Sequence, residues 1–313
     1  MLHSPIASAL REAFLPTTEP RAHLQSEARP ERPGGIPANG RRPPPGDEAV
    51  PLQDLREALA AARIHTRYQP VVRLCDRVPV GLEVLARLEH PQRGMLAPDL
   101  FVPQIEDAGL GFQLTQAVIR RAFADWSGAA LEQLDLWLAL NFPLDVLLQP
   151  SALTWLDETR KAAGIPVERI GIELTESRPV TSVVDLGRVV AGLRRAGYTL
   201  VIDDVGPGVR QAQNLLGLGF SVLKLDKGLV QGSRDDPALA EMLAATVAAA
   251  HGAGLLVVAE GVEDEAGWER MLAAGIEQAQ GFLIARPMPA SAVPGWHQAW
   301  RAGHAPPEPS ATI

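Results

Sequence analysis

Glu83, Asn141, Glu173, Asp203, Asp204, Glu260 and Gln280 stand where apolar runs of the sequence end, and Lys224 stands inside such a run. Segments that bury aliphatic side chains do not end repeatedly in carboxylates without a reason, because a desolvated unpaired charge costs several kcal/mol. Divalent cations held among the oxygens supply that reason. The pattern predicts a metal-dependent enzyme.

The segments carry this chemistry unequally. In VGLEVLARLEHP, strand alternation puts Gly81, Glu83, Leu85 and Arg87 on one face and Leu82, Val84 and Ala86 on the other. Glu83 and Arg87 can then hold a metal and a phosphate oxygen, or simply pair with each other at a sheet edge. LALNFP ends in Asn141, a neutral hard ligand or a turn residue. IELTES puts Glu173 in the strand register, with Glu176 just beyond it as a ligand or a turn cap. TLVIDDVGPG is the sharpest signal: Asp203 bridging two ions with Asp204 serving one of them suits a two-metal site, against an N-cap and turn pair before GPG. In SVLKLDK, Val222, Lys224 and Asp226 share a face. Lys224 can orient or deprotonate a water, or form a Schiff base. Surrounding carboxylates stabilise its ammonium and so favour hydrolysis. VVAEGVED adds Glu260 and Glu263, and QAQGFLIARP adds Gln280. The histidines, His65, His90, His251 and His297 among them, lack ligand spacing and read as surface or incidental.

What must position these groups is an alternation of strands and helices. Short β-branched or aliphatic runs occur at TRYQPVVRL, VGLEVLARL, LDLWLALNF, RIGIELTE, TLVIDDV, SVLKLD, LLVVAEGV and EQAQGFL. Helical windows at 98–108, 112–125, 152–163, 182–196, 237–253 and 265–274 separate most of them, several followed by a stop glycine. An α/β fold with about eight strands predicts a TIM-type (β/α)8 barrel, with an open doubly wound sheet as competitor. Polar residues at nearly every strand end decide for the barrel. A barrel gathers all its strand ends around one mouth, whereas an open sheet concentrates its site at one switch point.

Composition sets the remaining bounds. The 313 residues are 46% hydrophobic and 21% charged, with a net charge of −8. That balance argues against polymeric nucleic acid as a partner, which needs clustered Lys and Arg, but leaves a small anionic ligand open because bound cations reverse the local field. The single cysteine, Cys75, excludes an internal disulfide and reads as a small apolar residue beside a strand end. With no apolar run of membrane-spanning length and no signal-like h-region, a cytoplasmic chain without a membrane partner is expected. Residues 1–50, dense in Pro, Gly, Arg and Glu, are expected to form a disordered arm, with a short amphipathic helix over 6–15 as the sharper alternative to a frayed end. Residues 51–302 are expected to form the barrel, and 303–313 a loose tail.

The motifs YQPVV, GLEVLAR, LNFP, IELTES, VIDDVG, LKLD, VAEGVE and QGFLIARP, in this order and spacing, resemble the EAL-type cyclic di-GMP phosphodiesterases from about residue 55 to 300. The resemblance implies a modified TIM barrel whose first strand runs against its neighbours, and hydrolysis of cyclic di-GMP to linear pGpG with two Mg²⁺ or Mn²⁺ ions. It implies Glu83, Asn141, Glu173 and Asp203 as ligands of one metal, and Asp203, Asp204 and Glu263 around the other. Lys224 then orients or deprotonates the attacking water, Glu260 acts beside it, and Gln69, Arg87, Asp226, Gln280 and Pro287 are placed on the substrate side. Two departures stand out: Val84 inside the signature triplet, and Val205-Gly206-Pro207-Gly208-Val209-Arg210-Gln211 where the family has Phe-Gly-Thr-Gly-Tyr-Ser-Ser. The family loop, anchored by the residue matching Glu176, positions the second metal and supports dimerisation. Its change leaves a homodimer and a degenerate, binding-only module open beside the enzyme.

Overall fold

The computed structural model describes residues 49–175, 183–207 and 215–304. Glu176, Gly208 to Gln211, and the expected arm and tail beyond those bounds lie outside the described residues.

Helix α1 (Leu52–Ala60) leads into strands β1 (Ile64–Arg73) and β2 (Pro79–His90), with β3 (Gly94–Leu96) turned back on β2. Helices α2 (Val102–Asp107) and α3 (Gly111–Gly128) follow, then β4 (Trp137–Pro143), α4 (Leu144–Leu147), α5 (Pro150–Ala162), β5 (Ile170–Thr175) and α6 (Val183–Ala196). The chain continues through β6 (Thr199–Val205), β7 (Val222–Leu225), α7 (Lys227–Gly232), α8 (Pro237–Gly252), β8 (Leu256–Ala259), α9 (Glu265–Ala273), β9 (Gln278–Ala279) and α10 (Val293–Gly303).

The sheet order is β1-β9-β8-β7-β6-β5-β4-β2-β3, and β1 also pairs with β2, which closes eight strands into a barrel with β3 as an outlying ninth. β1 is antiparallel to both β2 and β9, while β2, β4 to β9 pair in parallel around the ring. The expected barrel with one reversed strand is therefore present. Sequence alternation had not revealed β3, since three residues are too short a window for a period of two.

Period-two alternation sorts side chains into an inner and an outer set. The outward Leu82, Leu138, Ile172, Leu200, Leu223 and Val257 pack under the helices in one large core. Inward, Val71, Val201, Val222 and Val258 form a floor with Val80 and Trp137. Towards the mouth, Gln69, Glu83, Asn141, Glu173, Asp203, Lys224, Glu260 and Gln280 form the layer above it. The floor depends on missing side chains. A Cβ at Gly81 would lie 2.7 Å from Trp137 Cδ2, and one at Gly171 would lie 3.2 Å from Trp137 Cε3. Gly81→Ala should therefore cost about 1–3 kcal/mol by overpacking, read as a lower denaturant midpoint.

A second cluster closes one side of the barrel where Val50, Leu55, Ile64, Leu88, Phe101 and Ile105 meet. Val50 is 2% exposed, so a buried contact lies on the arm side of the boundary expected at residue 51. Cys75 lies beside the end of β1, as expected, but is exposed in the turn to β2 rather than packed as an apolar residue. His90, expected at the surface, is buried. Its Nδ1 accepts from the amides of Gln92 and Arg93 at 3.2 Å each, and its Nε2 faces Asp54 Oδ2 at 3.2 Å. It fixes the turn between β2 and β3.

Candidate active site

Lys224 is the centre of the mouth. Its Nζ lies 2.6 Å from Glu260 Oε1, 3.0 Å from Asp203 Oδ1, 3.2 Å from Glu173 Oε1 and 3.7 Å from Glu83 Oε2. The lysine is 1% exposed and Glu173 is 0% exposed. Burial alone pulls an ammonium pKa down, but the carboxylates, Asp203 and Glu173 foremost, outweigh it and hold Lys224 well above its ordinary value. The group is an ammonium, as its neighbours had suggested.

One ammonium does not satisfy this many carboxylates. Both oxygens of Glu173 and Oδ1 of Asp203 are buried without a hydrogen-bond partner among the described residues. Desolvation pushes Glu173 well above the usual carboxylate range, partly offset by Lys224, and raises Asp203 in the same way. Glu260 is pushed up to about 8, by burial first and by Asp203 among its neighbours. Asp204 reaches the open side of the mouth, yet loss of water and the charge of Asp203 still raise it to about 7. Oxygens of Asp203, Asp204 and Glu260 lie within 4.8 Å of one another, close enough to share one cation. Carboxylate oxygens are hard ligands, and with the buried oxygens of Asp203 and Glu173 unpartnered beside them this donor set fits a divalent cation.

The backbone at the Asp pair is unusual. Asp204 has φ 56°, a left-handed conformation, and the β6–β7 register shifts between Ile202 and Val205. The break in the strand lets two consecutive carboxylates approach the same space, although alternation would send them to opposite faces.

A polar chain crosses from β1 to β9. Gln280 Nε2 donates to Gln69 Oε1 at 3.1 Å and, through a very short contact, to Glu83 Oε2. Gln69 Nε2 donates to the carbonyl of Ala285 at 3.1 Å, two residues before Pro287, and Asn141 Nδ2 reaches Glu83 Oε1 at 3.5 Å. Arg87, on the same face of β2 as Glu83, donates to the carbonyl of Ala86 at 2.7 Å. Burial, and then the nearby charge of Arg67, lower its pKa. The structure thus brings together Gln69, Glu83, Asn141, Glu173, Asp203, Asp204, Lys224, Glu260 and Gln280.

Two further expected residues lie just past the ends of their strands, and the charge of one, Asp226, still reaches Asp204 and helps to raise its carboxyl. Asp226 lies beyond the end of β7 as the N-cap of α7, its Oδ1 accepting from Gly228 N at 2.8 Å. β7 ends one residue before it, and Asp226 stands where the cap of α7 and the charge of Asp204 meet. Glu263 faces Lys227 Nζ at 2.7 Å and is 45% exposed, outside the Lys224 cluster. A salt bridge in reach of water is the local solution once β8 has ended at Ala259.

Sequence reasoning had not singled out Thr66, Tyr68 and Asp125. Asp125 Oδ2 accepts from Thr66 Oγ1 at 2.8 Å and Tyr68 Oη at 2.9 Å, tying α3 to the outer face of β1. The available signal was an acidic residue among Ala122, Phe123 and Trp126 on a core-facing helix.

A carboxyl with a raised folded pKa keeps a proton that the unfolded chain has lost, so unfolding free energy falls as pH climbs from the ordinary carboxylate value to the raised one. With Glu260 at about 8 and Asp204 at about 7, metal-free protein should melt higher near pH 5 than near pH 8. Mn²⁺ should stabilise most at the higher pH, where the ligands have already released their protons. Melting curves at both pH values with and without Mn²⁺ check this. A metal-free melting point that rises towards pH 8 contradicts it.

Residues 52–287 match the family model of the EAL domain. The chain is 33% identical over 248 residues to the bifunctional diguanylate cyclase/cyclic di-GMP phosphodiesterase MucR of Pseudomonas aeruginosa, covering 76% of this chain and 35% of that protein. It is 31% identical over 256 residues to the cyclic di-GMP phosphodiesterase NbdA of the same organism, covering 82% and 33%. The solved MucR phosphodiesterase in complex with cyclic di-GMP superposes with a TM-score of 0.71 at 31% identity, covering 77% of this chain and 98% of that one. The chain spans between 30 and 44% of the length of such curated relatives. By sequence and by fold, the chain belongs to the EAL domain family, in which cyclic di-GMP phosphodiesterases are found.

Proposed function

We propose that this barrel hydrolyses one phosphodiester of cyclic di-GMP, giving linear pGpG, with two Mg²⁺ or Mn²⁺ ions. The observation that carries this reading is the buried ammonium of Lys224 inside four carboxylates that it cannot satisfy alone. Relatives named as phosphodiesterases of this dinucleotide support the substrate. A pure receptor has no need for so costly a cluster, because recognition of a nucleotide needs neither a desolvated lysine nor an orphaned glutamate.

On this reading Glu83, Asn141, Glu173 and Asp203 would hold one ion, and Asp203, Asp204 and Glu260, whose oxygens lie within 4.8 Å of one another, the other. The ions would supply Lewis-acid stabilisation of charge on phosphate oxygens and a more acidic water. Lys224, kept protonated, orients the attacking water and holds the position of Glu260 through an ion pair at 2.6 Å. Glu260, pushed up to about 8, is suited to exchanging a proton near neutral pH. Gln69, Arg87, Gln280 and the Pro287 segment line the rim on which the guanine and phosphate groups would rest. Asp226, whose charge acts on Asp204, borders the second ion's side, and Glu263 acts at most indirectly on this reading, through the Lys227 pair.

The test is direct. Purified protein incubated with cyclic di-GMP and Mn²⁺ should yield pGpG on a nucleotide column, and EDTA should stop it. Tight binding of cyclic di-GMP with no product in either metal would replace the enzyme by a binding-only module.

A further inference from the structure

Above the floor, the mouth faces of β1 and β2 climb as a two-stranded ribbon on which Gln69 stands opposite Glu83, Arg67 opposite Leu85 and His65 opposite Arg87. β2 pairs with β4 only as far as Val84, so the rungs that carry Arg67 and Arg87 rise past the closed ring. We propose that Arg67 is a substrate-binding residue, which together with Arg87 grips the phosphodiester of cyclic di-GMP that is not cleaved. This role rests on the phosphodiesterase reading of the mouth, and Arg67 lies outside the motifs that carry the family resemblance.

The two guanidiniums are near each other and poorly neutralised. Arg87 lies two residues beyond Leu85 on the same face, so Arg67 and Arg87 are diagonal neighbours with backbones roughly 7–8 Å apart. Each is held by its own strand rather than by a carboxylate. Arg67 Nη1 donates to the carbonyl of Thr66 at 3.0 Å, and Arg87 Nη1 to that of Ala86 at 2.7 Å. Glu83 and Asp99 act on Arg87 only from a distance, and the charge of Arg67 opposes them. Both arginines are half-buried, so water screens their repulsion only in part. Each guanidinium carries five N–H donors, and one contact apiece among the described residues leaves most of them free.

An anion beside the pair relieves the repulsion and takes up those donors, and the forked donors of arginine suit the oxygens of a phosphate. His65, on the same rung as Arg87, does not supply that anion, because it faces Glu89 Oε2 at 2.9 Å and leaves the arginines as they are. Cyclic di-GMP carries two phosphodiesters. The cations held by the carboxylates would serve the one that is cleaved, while the carboxylates themselves repel the other. Unpaired guanidiniums on the wall above Gln69 have the sign that the second phosphate needs. That phosphate is the same before and after cleavage, so a grip on it lowers KM without raising kcat.

The full chain with Mn²⁺ is assayed for initial rates on cyclic di-GMP and on bis(p-nitrophenyl) phosphate, a diester with neither a second phosphate nor a guanine. Arg67→Gln should raise the KM for cyclic di-GMP by about fivefold or more, with kcat within about twofold of wild type. Its melting temperature and its kcat/KM on bis(p-nitrophenyl) phosphate should stay near those of wild type, and Arg67→Lys should recover part of the lost affinity. The KM gap should narrow as KCl is raised, because a contact between charges at a half-exposed rim is screened. An unchanged KM in Arg67→Gln overturns the proposal, and so does an equal loss on both substrates, which would make the role of Arg67 structural. A gap indifferent to salt would assign Arg67 to a neutral guanine edge and overturn the phosphate contact. If wild type binds cyclic di-GMP but forms no product, the phosphodiesterase reading fails alone, and the same loss in Arg67→Gln is read from the calorimetric Kd. Absence of binding by wild type overturns both.

Discussion

Lys224→Met should lower hydrolysis of cyclic di-GMP by roughly a hundred- to a thousandfold at saturating Mn²⁺, the scale seen when one preorganised donor is removed from a reacting centre. The loss should fall on kcat, because Lys224 is 1% exposed and enclosed by carboxylates rather than open to the bulk of a bound substrate. Metal binding should survive. Removing the ammonium takes a competing cation from Glu173, Asp203, Glu260 and Glu83, so the rise in melting temperature on adding Mn²⁺ should be at least as large as in wild type. Without metal, the variant should be less stable, since breaking a buried ion pair typically costs about 3–5 kcal/mol. Low pH should narrow that deficit by protonating the carboxylates. Single-turnover assays and paired melts measure all three effects. Ordinary turnover by the variant would remove Lys224 from the chemistry.

The second large effect is expected at Glu83. Its carboxylate receives Gln280 and Asn141 and lies 3.7 Å from Lys224, so it joins the polar chain of the rim to the metal-facing layer. Glu83→Ala should abolish hydrolysis, with a loss above about a hundredfold, as chelation should in wild type. The readout that separates this from misfolding is thermal. The metal-free melting temperature should change little, because one of several crowded carboxylates has gone. The increment on adding Mn²⁺ should shrink, by several degrees for a loss of about 2 kcal/mol in a domain of this size. If the alanine variant keeps both its turnover and its Mn²⁺ increment, Glu83 is not a ligand and the two-metal arrangement is wrong.

Strand alternation is a local property, and much of the architecture followed from it. Val201 and Asp203, Val222 and Lys224, and Val258 and Glu260 each stand two residues apart, which puts a floor residue and a mouth residue on one face whatever the neighbouring strands do. Apolar runs ending in such groups, with helices between them, pointed to a closed barrel, and the strands formed it. The same local rule failed wherever a strand stopped or bent. Asp226 shares the parity of Lys224, but β7 ends at Leu225, and the aspartate caps α7 while its charge reaches Asp204. Asp204 has the wrong parity for Asp203's space and reaches it through a left-handed residue.

What the sequence determined by itself was the inventory of the mouth and the side of each strand on which it lies, because both depend on spacing along the chain. Only the tertiary structure decided which oxygens meet. Closing the ring offsets each strand against the next, and this offset brings Glu83 of β2, Glu173 of β5, Asp203 of β6 and Glu260 after β8 within 3.7 Å of one ammonium. The clamp of Asp125 on Thr66 and Tyr68 joins residues more than fifty positions apart for the same reason. No local pattern encodes a contact made by packing a helix against a strand, since its energy comes from excluding water between surfaces that exist only after the barrel has closed.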